Sequence, residues 1–285
     1  MELIVFYAFI FIFGLIIGSF LNCVIYRLAR PNFSLWKNLG GLKGRSYCPH
    51  CKNRLIWLDL IPIFSFLFLK GKCRYCHKKI SIQYPIVEIL TGLIFLLIFN
   101  HSAGRFALVL GQNAQIFEHF GFSVLNLLFL FYISSVLIII FIYDLKYYLI
   151  PDKVLFPTIA IALLYRLFYF SLIWDYLLAV LIASGFFLFI FLISKGRWMG
   201  FGDVKLAILL GLFLGFPNIL VGLFLSFFFG AIIGLALIIL NLPAQAGKIG
   251  LKSEIPFAPF LITGTFIAMF FGDIIIQWYL SLFLF

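Results

Sequence analysis

Long apolar runs separated by short polar stretches dominate the chain. Eight runs predict helices, at roughly 3–26, 83–100, 123–143, 154–173, 176–194, 204–216, 218–241 and 257–283. The sixth is short, and Pro217-Asn218 divides it from the seventh. Several approach the ~20 residues that cross a bilayer core as a helix. Polar and apolar residues do not alternate within them, so a transmembrane barrel is excluded. The pattern predicts an all-α polytopic membrane protein with about eight transmembrane helices. No internal repeat and no low-complexity segment beyond the apolar runs is evident.

Composition sharpens this picture. The 285 residues are 65% hydrophobic and 11% charged, with a mean hydropathy of +1.18. The net charge of +11 would suit a nucleic-acid binder, but its placement argues against one. Twelve of the 21 Lys and Arg lie between Arg27 and Lys79, and most others sit in short loops between runs. Basic loops mark the cytoplasmic face of a membrane protein. An N-terminus outside puts 27–82, 144–153, 195–203 and 242–256 in the cytoplasm. Those segments, with Lys205 at the edge of one, hold 19 of the 21 basic residues. Arg105 falls in an outer loop, expected over Asn100–Gly121, and Arg166 lies near the outer end of a span. The first run lacks a basic start and continues to about Tyr26, so it reads as a signal anchor and not a cleaved signal peptide.

The largest polar segment carries two cysteine pairs, Cys48-Pro-His-Cys51 and Cys73-Arg-Tyr-Cys76, with 21 residues between them. Each pair is a knuckle that aims two thiolates at one ion, and four thiolates suit tetrahedral Zn²⁺ in a closed, structural site. The competing reading is disulfides, which a cytoplasmic location disfavours. His50 and His77 stand beside the knuckles as bystanders or supporting groups, and Cys23 is a packing residue within the first span. Between the pairs, Trp57–Ser65 is too apolar for a free loop and is expected to fold on the membrane surface or the bundle. Gly18-Ser-Phe-Leu-Asn22 brings small and polar residues to the end of the first span, where they allow close helix packing. Pro85 suits a first helical turn. Glu88 reads either as a charge on the helix dipole or as a group facing a cytoplasmic pocket.

Two acids stand at cytoplasmic ends of spans. Asp144 follows Ile-Ile-Ile-Phe-Ile-Tyr143, and Asp203 follows Met199-Gly200-Phe201-Gly202. Intramembrane acids are functional suspects by default. Gly200 and Gly202 let another backbone approach or let the chain take unusual angles. The plainer alternative is a polar loop with Asp203 as a helix cap. Two acids that meet in one bundle and share a proton are the machinery of an aspartic protease, in which one activates water and the other polarises the carbonyl.

These residues resemble the bifunctional type IV prepilin peptidases (leader peptidase and N-methyltransferase), polytopic aspartic proteases of the bacterial inner membrane. The resemblance runs in order over nearly the whole chain. It is carried by Gly18–Asn22 with Tyr26-Arg27, the cysteine pairs, Ile61-Pro62, Tyr84-Pro-Ile-Val-Glu88, Asp144 with Ile150-Pro-Asp152, Met199–Leu206 with its GxGD, and Ile255–Phe260. Ala258 stands where Gly is more usual. The resemblance implies a multi-pass inner-membrane enzyme that cuts the basic leader of prepilins or pseudopilins after a glycine, on the cytoplasmic side. It then methylates the new N-terminal amine with S-adenosylmethionine. Asp144 and Asp203 carry over as the catalytic pair, with Gly200, Gly202 and Lys205 near the substrate. Lys205 either tunes Asp203 or marks the interface, and Asp152 is a helix cap and not a third catalyst. The domains implied are a first helix, 1–26; a small cytoplasmic zinc-binding, methyltransferase-associated domain inserted between helices 1 and 2, 27–82; the second helix and outer loop, 83–122; and a six-helix peptidase, 123–285.

The methyltransferase half has no G-x-G-x-x-G loop, so no dinucleotide-type site is available. Asn22 and Glu88 are the cofactor candidates: polar, at the boundary and inside matching motifs. Rival classes are a peptidase without methylation, a transporter whose acids relay protons, and a non-enzymatic assembly factor. The cysteine segment argues against the first, and the missing repeats argue against the second.

Overall fold

A computed structural model describes residues 2–29, 45–110, 116–168, 173–239, 243–244, 247–248 and 255–282. The basic stretch at 30–44, within the expected cytoplasmic segment, lies outside the described residues. The described chain is almost wholly helical. In order it runs α1 (Glu2–Leu28), a 3-10 turn (Trp57–Leu60), α2 (Phe64–Phe68), α3 (Gln83–Leu110), α4 (Ile116–Tyr147), α5 (Asp152–Phe168), α6 (Ile173–Ser194), α7 (Phe201–Leu214), α8 (Asn218–Ile239) and α9 (Ala258–Ser281). Between α8 and α9, β1 (Pro243–Ala244) and β2 (Gly247–Lys248) pair antiparallel.

Among the described residues, six helical segments are long and apolar enough to cross a membrane: Ile4–Leu28, Gln83–Ser102, Val124–Tyr147, Ile173–Ser194, Asn218–Leu237 and Ala258–Ser281. The chain is a multi-pass membrane protein. Two of the eight expected spans, α5 with 17 residues and α7 with 14, fall short of that length. The loop expected over Asn100–Gly121 is also different. There α3 continues to Leu110 and α4 begins at Ile116. That stretch contains no proline to stop α3, and Gly104, the glycine within α3's part of it, weakens a helix without ending it.

The chain divides into two compact units, Met1–Ile139 and Ile140–Phe285. In the first, α1 packs along α3. A Cβ on Gly18 would meet Glu88 Cα at 2.7 Å, so only glycine allows this approach. Phe95 stacks on Phe131, centroids 4.1 Å apart. Between apolar helices in an apolar medium, such close packing is the driving force, because hydrophobic burial offers little there.

In the second unit, α7 is the central element. Val204, Leu206, Ala207, Leu209, Leu210, Leu212 and Phe213 are all buried. It packs on α5 and α6, and α8 packs along α9. Outer faces of α6 and α8 present Phe189, Leu192, Phe224 and Leu235, all exposed. Such faces suit acyl chains and not water.

Candidate active site and cysteine cluster

The carboxylate site is built from three helix ends of the second unit. Asp144 lies in the last turn of α4. Asp203 is the third residue of α7, whose N-cap is Gly200, so Asp203 is not the cap itself. Both acids are buried, at 5% and 9% exposure. The charge of Asp144 bears on Asp203. The backbone N–H of Ala258, at the first turn of α9, donates to the Asp144 carboxylate. The sequence pointed to Ile255–Phe260 by resemblance alone and gave this segment no task. Its task here is to point a free helix-N-terminal amide at an acid, as such amides commonly do.

Lys205 turns away from the acids. Its Nζ pairs with Asp152 at the start of α5 and lies 5.4 Å from the Phe156 ring centroid. Neither reading of Lys205, tuning Asp203 or marking the interface, included this pairing, which fastens the start of α7 to the start of α5. Asp152 is the first residue of α5 and so lies in its first turn, one position past the cap expected of it. The two motif glycines differ. A Cβ on Gly202 would press on Ile150 Cδ1 at 3.2 Å, whereas one on Gly200 would meet nothing nearer than Gly202 N at 3.9 Å. Gly200 is exposed and has an ordinary φ of −74°. Neither packing nor backbone angle requires a glycine there, which leaves open surface beside the acids as its consequence.

In the first unit the two knuckles repeat one backbone design. Cys48 N–H donates to Asn53 O and Lys52 N–H to Cys48 O. Cys73 N–H likewise donates to Lys78 O and His77 N–H to Cys73 O. Lys52 and His77, each just after the second cysteine, share a left-handed φ of 57° and 54°. The four Sγ atoms lie within 4.8 Å of one another, and all four thiols are free. Cys48 and Cys76 Sγ are 3.9 Å apart. That is no disulfide, and it is close to the ~3.8 Å edge of a tetrahedron with 2.3 Å metal–sulfur bonds. Amides of Cys76, then Tyr75, hold the Cys73 thiol down at about 7, whereas Cys51, lowered by the Asn53 amide but raised more by burial and the three neighbouring thiols, is pushed up to about 11. The cluster could bind a metal ion.

Asn22 on α1 and Glu88 on α3 are both buried, each with its own partners. Asn22 Nδ2 donates to Tyr84 O at 3.1 Å and accepts from Gln83 Nε2 at 3.4 Å. Glu88 Oε2 accepts the Ile63 N–H at 2.8 Å, and Ser19 also bonds this carboxylate. Glu88 is the sixth residue of α3, past its first turn, so the dipole reading does not hold. Its carboxylate ties down Ile63, whose φ of +61° is unusual for a branched residue. This tether is how the apolar Trp57–Ser65 segment is fixed to a helix. Arg74 adds a 2.8 Å ion pair to the buried Asp59 carboxylate.

Comparison with known proteins agrees with the order of these sites. The bacterial peptidase A24 N-terminal domain matches residues 12–102, and the type IV leader peptidase family matches residues 129–235. A prepilin leader peptidase/N-methyltransferase of Aeromonas hydrophila is 32% identical, over 98% of this chain and 95% of the relative. Proteins of the same name from Bacillus subtilis (strain 168) and Legionella pneumophila are each 33% identical, over 96% of this chain and 97% and 94% of their own lengths. No solved structure is a significant match. With both halves matched in order and relatedness extending over nearly full length, the chain belongs to the type IV leader peptidase family.

Proposed function

We propose that this protein cleaves the basic leader of prepilins or pseudopilins at the cytoplasmic face of the bacterial inner membrane and N-methylates the new N-terminus. The observation that carries the peptidase half is the buried Asp144–Asp203 pair beside the open face at Gly200. Asp144 already accepts one N–H and takes the role of base, drawing a proton from water. Asp203 holds the shared proton and gives it to the scissile carbonyl oxygen. Water's oxygen bonds the carbonyl carbon. Collapse of the adduct breaks the C–N bond, and the departing amine leaves with a proton. Gly200 and Gly202 border the track of the substrate backbone, and Lys205 fixes the start of α7 beside it.

The short helices α5 and α7 complete a set of eight membrane-embedded helices in this reading, with the membrane crossed at α7 by the helix and the apolar loop after it, and the basic loops face the cytoplasm. The four cysteines hold Zn²⁺ as a closed structural site in the inserted domain 27–82, followed by 83–122 and the peptidase helices of 123–285. S-adenosylmethionine supplies an electrophilic methyl group on a sulfonium. An anionic and an amide side chain, each buried, Glu88 and Asn22, fit the cationic and polar parts of such a cofactor. Both also hold neighbouring backbone, Glu88 at Ile63 and Asn22 at Tyr84.

The test is direct. Purified protein is incubated with a prepilin, with and without S-adenosylmethionine, and products are read by mass spectrometry. Cleavage after glycine in both samples, a methyl increment only with the cofactor, and about one zinc per chain are expected. An uncut prepilin would remove the peptidase reading.

A further inference from the structure

The geometry assigns Arg166 as a positioning residue for Asp203: from α5 it grips the far end of α7 and sets the depth at which that helix presents its acid. The inference rests on the reading of Asp144 and Asp203 as the peptide-cutting pair.

Helix length raises the problem that Arg166 solves. With 14 residues, α7 is about 21 Å long, against a hydrocarbon core of about 30 Å. A helix that starts at the cytoplasmic boundary therefore ends inside the apolar layer. Its last four carbonyls have no partner within the helix, and at that depth there is no water to replace one. The structure accounts for three of the four. Gly211 O accepts the Gly215 N–H at 3.0 Å. Leu212 O and Phe213 O accept Arg166 Nε and Nη2, each at 3.0 Å. A planar guanidinium presents two donors in a fixed fork to two consecutive carbonyls, which a lysine ammonium cannot match. Its positive charge also suits a helix C-terminus.

Arg166 is itself held. It is buried, and its Cζ lies 3.7 Å from the Tyr176 ring centroid, with the Tyr165 ring at 5.4 Å. The Tyr176 ring rests on Gly215, which has a φ of +74° and where a Cβ would meet the ring at 2.9 Å. Phe216 N–H then donates to Asp175 O at 3.2 Å, tying the chain after α7 to the start of α6. A cation at this depth is expensive, yet here it is bound to the helix that carries Asp203.

That acid stands at the opposite end of α7. The helix is buried along most of its length, and packed interiors have little slack. A Cβ on Gly211 would meet Val180 Cα and N at 2.7 Å, so α6 leaves no lateral room. A shift at Leu212 and Phe213 is therefore carried along the rod to Asp203. The same α5 also pairs Asp152 with Lys205 near the start of α7. Asp152 is half exposed in that pair, and exposed ion pairs contribute little. The buried Arg166 end is the fixed one.

The experiment uses the full chain in lipid nanodiscs, with prepilin cleavage and methylation of an already-cut pilin peptide measured on the same preparation. Arg166→Gln is expected to lower the cleavage kcat by about 10- to 100-fold, as small misplacements of catalytic groups do. The prepilin KM and the methylation rate should change less than about two-fold, since neither depends on Asp203. Arg166→Lys should restore part of kcat. Tyr176→Leu, which removes the stack and keeps the fork, should lower kcat in the same direction. Unchanged kcat in Arg166→Gln would overturn the inference. If Arg166→Gln loses both activities together, Tyr176→Leu decides, and an unaltered kcat there would also overturn it. A wild-type protein that leaves prepilin uncut, or an Asp203→Asn variant that cuts normally, would instead remove the reading of the acid pair.

Discussion

The two units treat their buried acids in opposite ways. In the first, Glu88 accepts from Ile63 and Ser19, and Asp59 is paired with Arg74. Each carboxylate is used to hold a loop. In the second, the nearby cation Lys205 is spent on Asp152. Among the described residues no ion pair reaches Asp144 or Asp203; both are buried, Asp144 accepts the Ala258 N–H, and the charge of Asp144 bears on Asp203. Fully partnered polar groups fix a structure. Acids left without a counter-ion at a membrane boundary cost free energy without adding rigidity, which is the expected mark of chemistry.

The largest test of this contrast removes the acids. Asp144→Asn and Asp203→Asn should each lower prepilin cleavage by about 10³-fold or more, the scale on which groups of a catalytic unit act. The double variant should lose little beyond either single one, because such groups are non-additive. Methylation of an already-cut pilin should persist in all three. In the wild type, cleavage should fall at both low and high pH, since one proton must be shared, and the two limbs belong to the pair. A single Asn variant that cleaves at a substantial rate would break the comparison at its root.

A smaller effect is expected from Glu88→Gln. The amide oxygen can still accept the Ile63 N–H at the position of Oε2, so the tether survives while the charge is lost. If the charge serves the cofactor, methylation should fall about ten-fold and cleavage less than about two-fold. Parallel loss of both activities, measured as initial rates on one preparation, would make Glu88 a folding residue alone. That outcome would sharpen the contrast between the units rather than blur it.

Much of this was legible in the sequence because membranes impose a coarse grammar. Continuous apolar runs gave the helices, and six of them reach spanning length. Cysteine spacing gave the cluster, since a two-residue gap fixes the knuckle geometry. The acids stood out because acids are rare in apolar runs. What did not show was which partner each polar group takes. Lys205 is two residues from Asp203 and yet pairs with Asp152, because successive helix positions point in different directions. Ala258 acts through its backbone amide, which no side-chain pattern reveals. Arg166 looked like one more basic residue near a membrane edge. Its meaning needed the end of a helix 46 residues further on. The run at 204–216 already read as short, and it is the 14-residue α7, shifted to start at Phe201 and stop at Leu214, because an apolar loop such as Gly215-Phe216-Pro217 extends a hydrophobic run without extending a helix.

The smallest expected effect concerns the surface where the substrate is proposed to lie. Gly200 and Gly202 are two residues apart in one motif, but their surroundings predict different outcomes for alanine. At 202 a Cβ would meet Ile150 at 3.2 Å, so Gly202→Ala should disturb the start of α7 and lower stability as well as activity. At 200 the nearest atom is 3.9 Å away and φ is one that any residue adopts. The folding cost of Gly200→Ala is then the exchange of one modest N-cap for a poorer one, under about 1 kcal/mol. A thermal unfolding scan should place this variant within a few degrees of wild type. If the open face beside Asp203 carries the prepilin backbone, the added methyl should raise KM by about three- to ten-fold and leave kcat within about two-fold, the signature of lost uniform binding. Should KM stay unchanged while Gly202→Ala is impaired, the motif's glycines would serve helix packing only. The substrate would then have to approach the acids from another side.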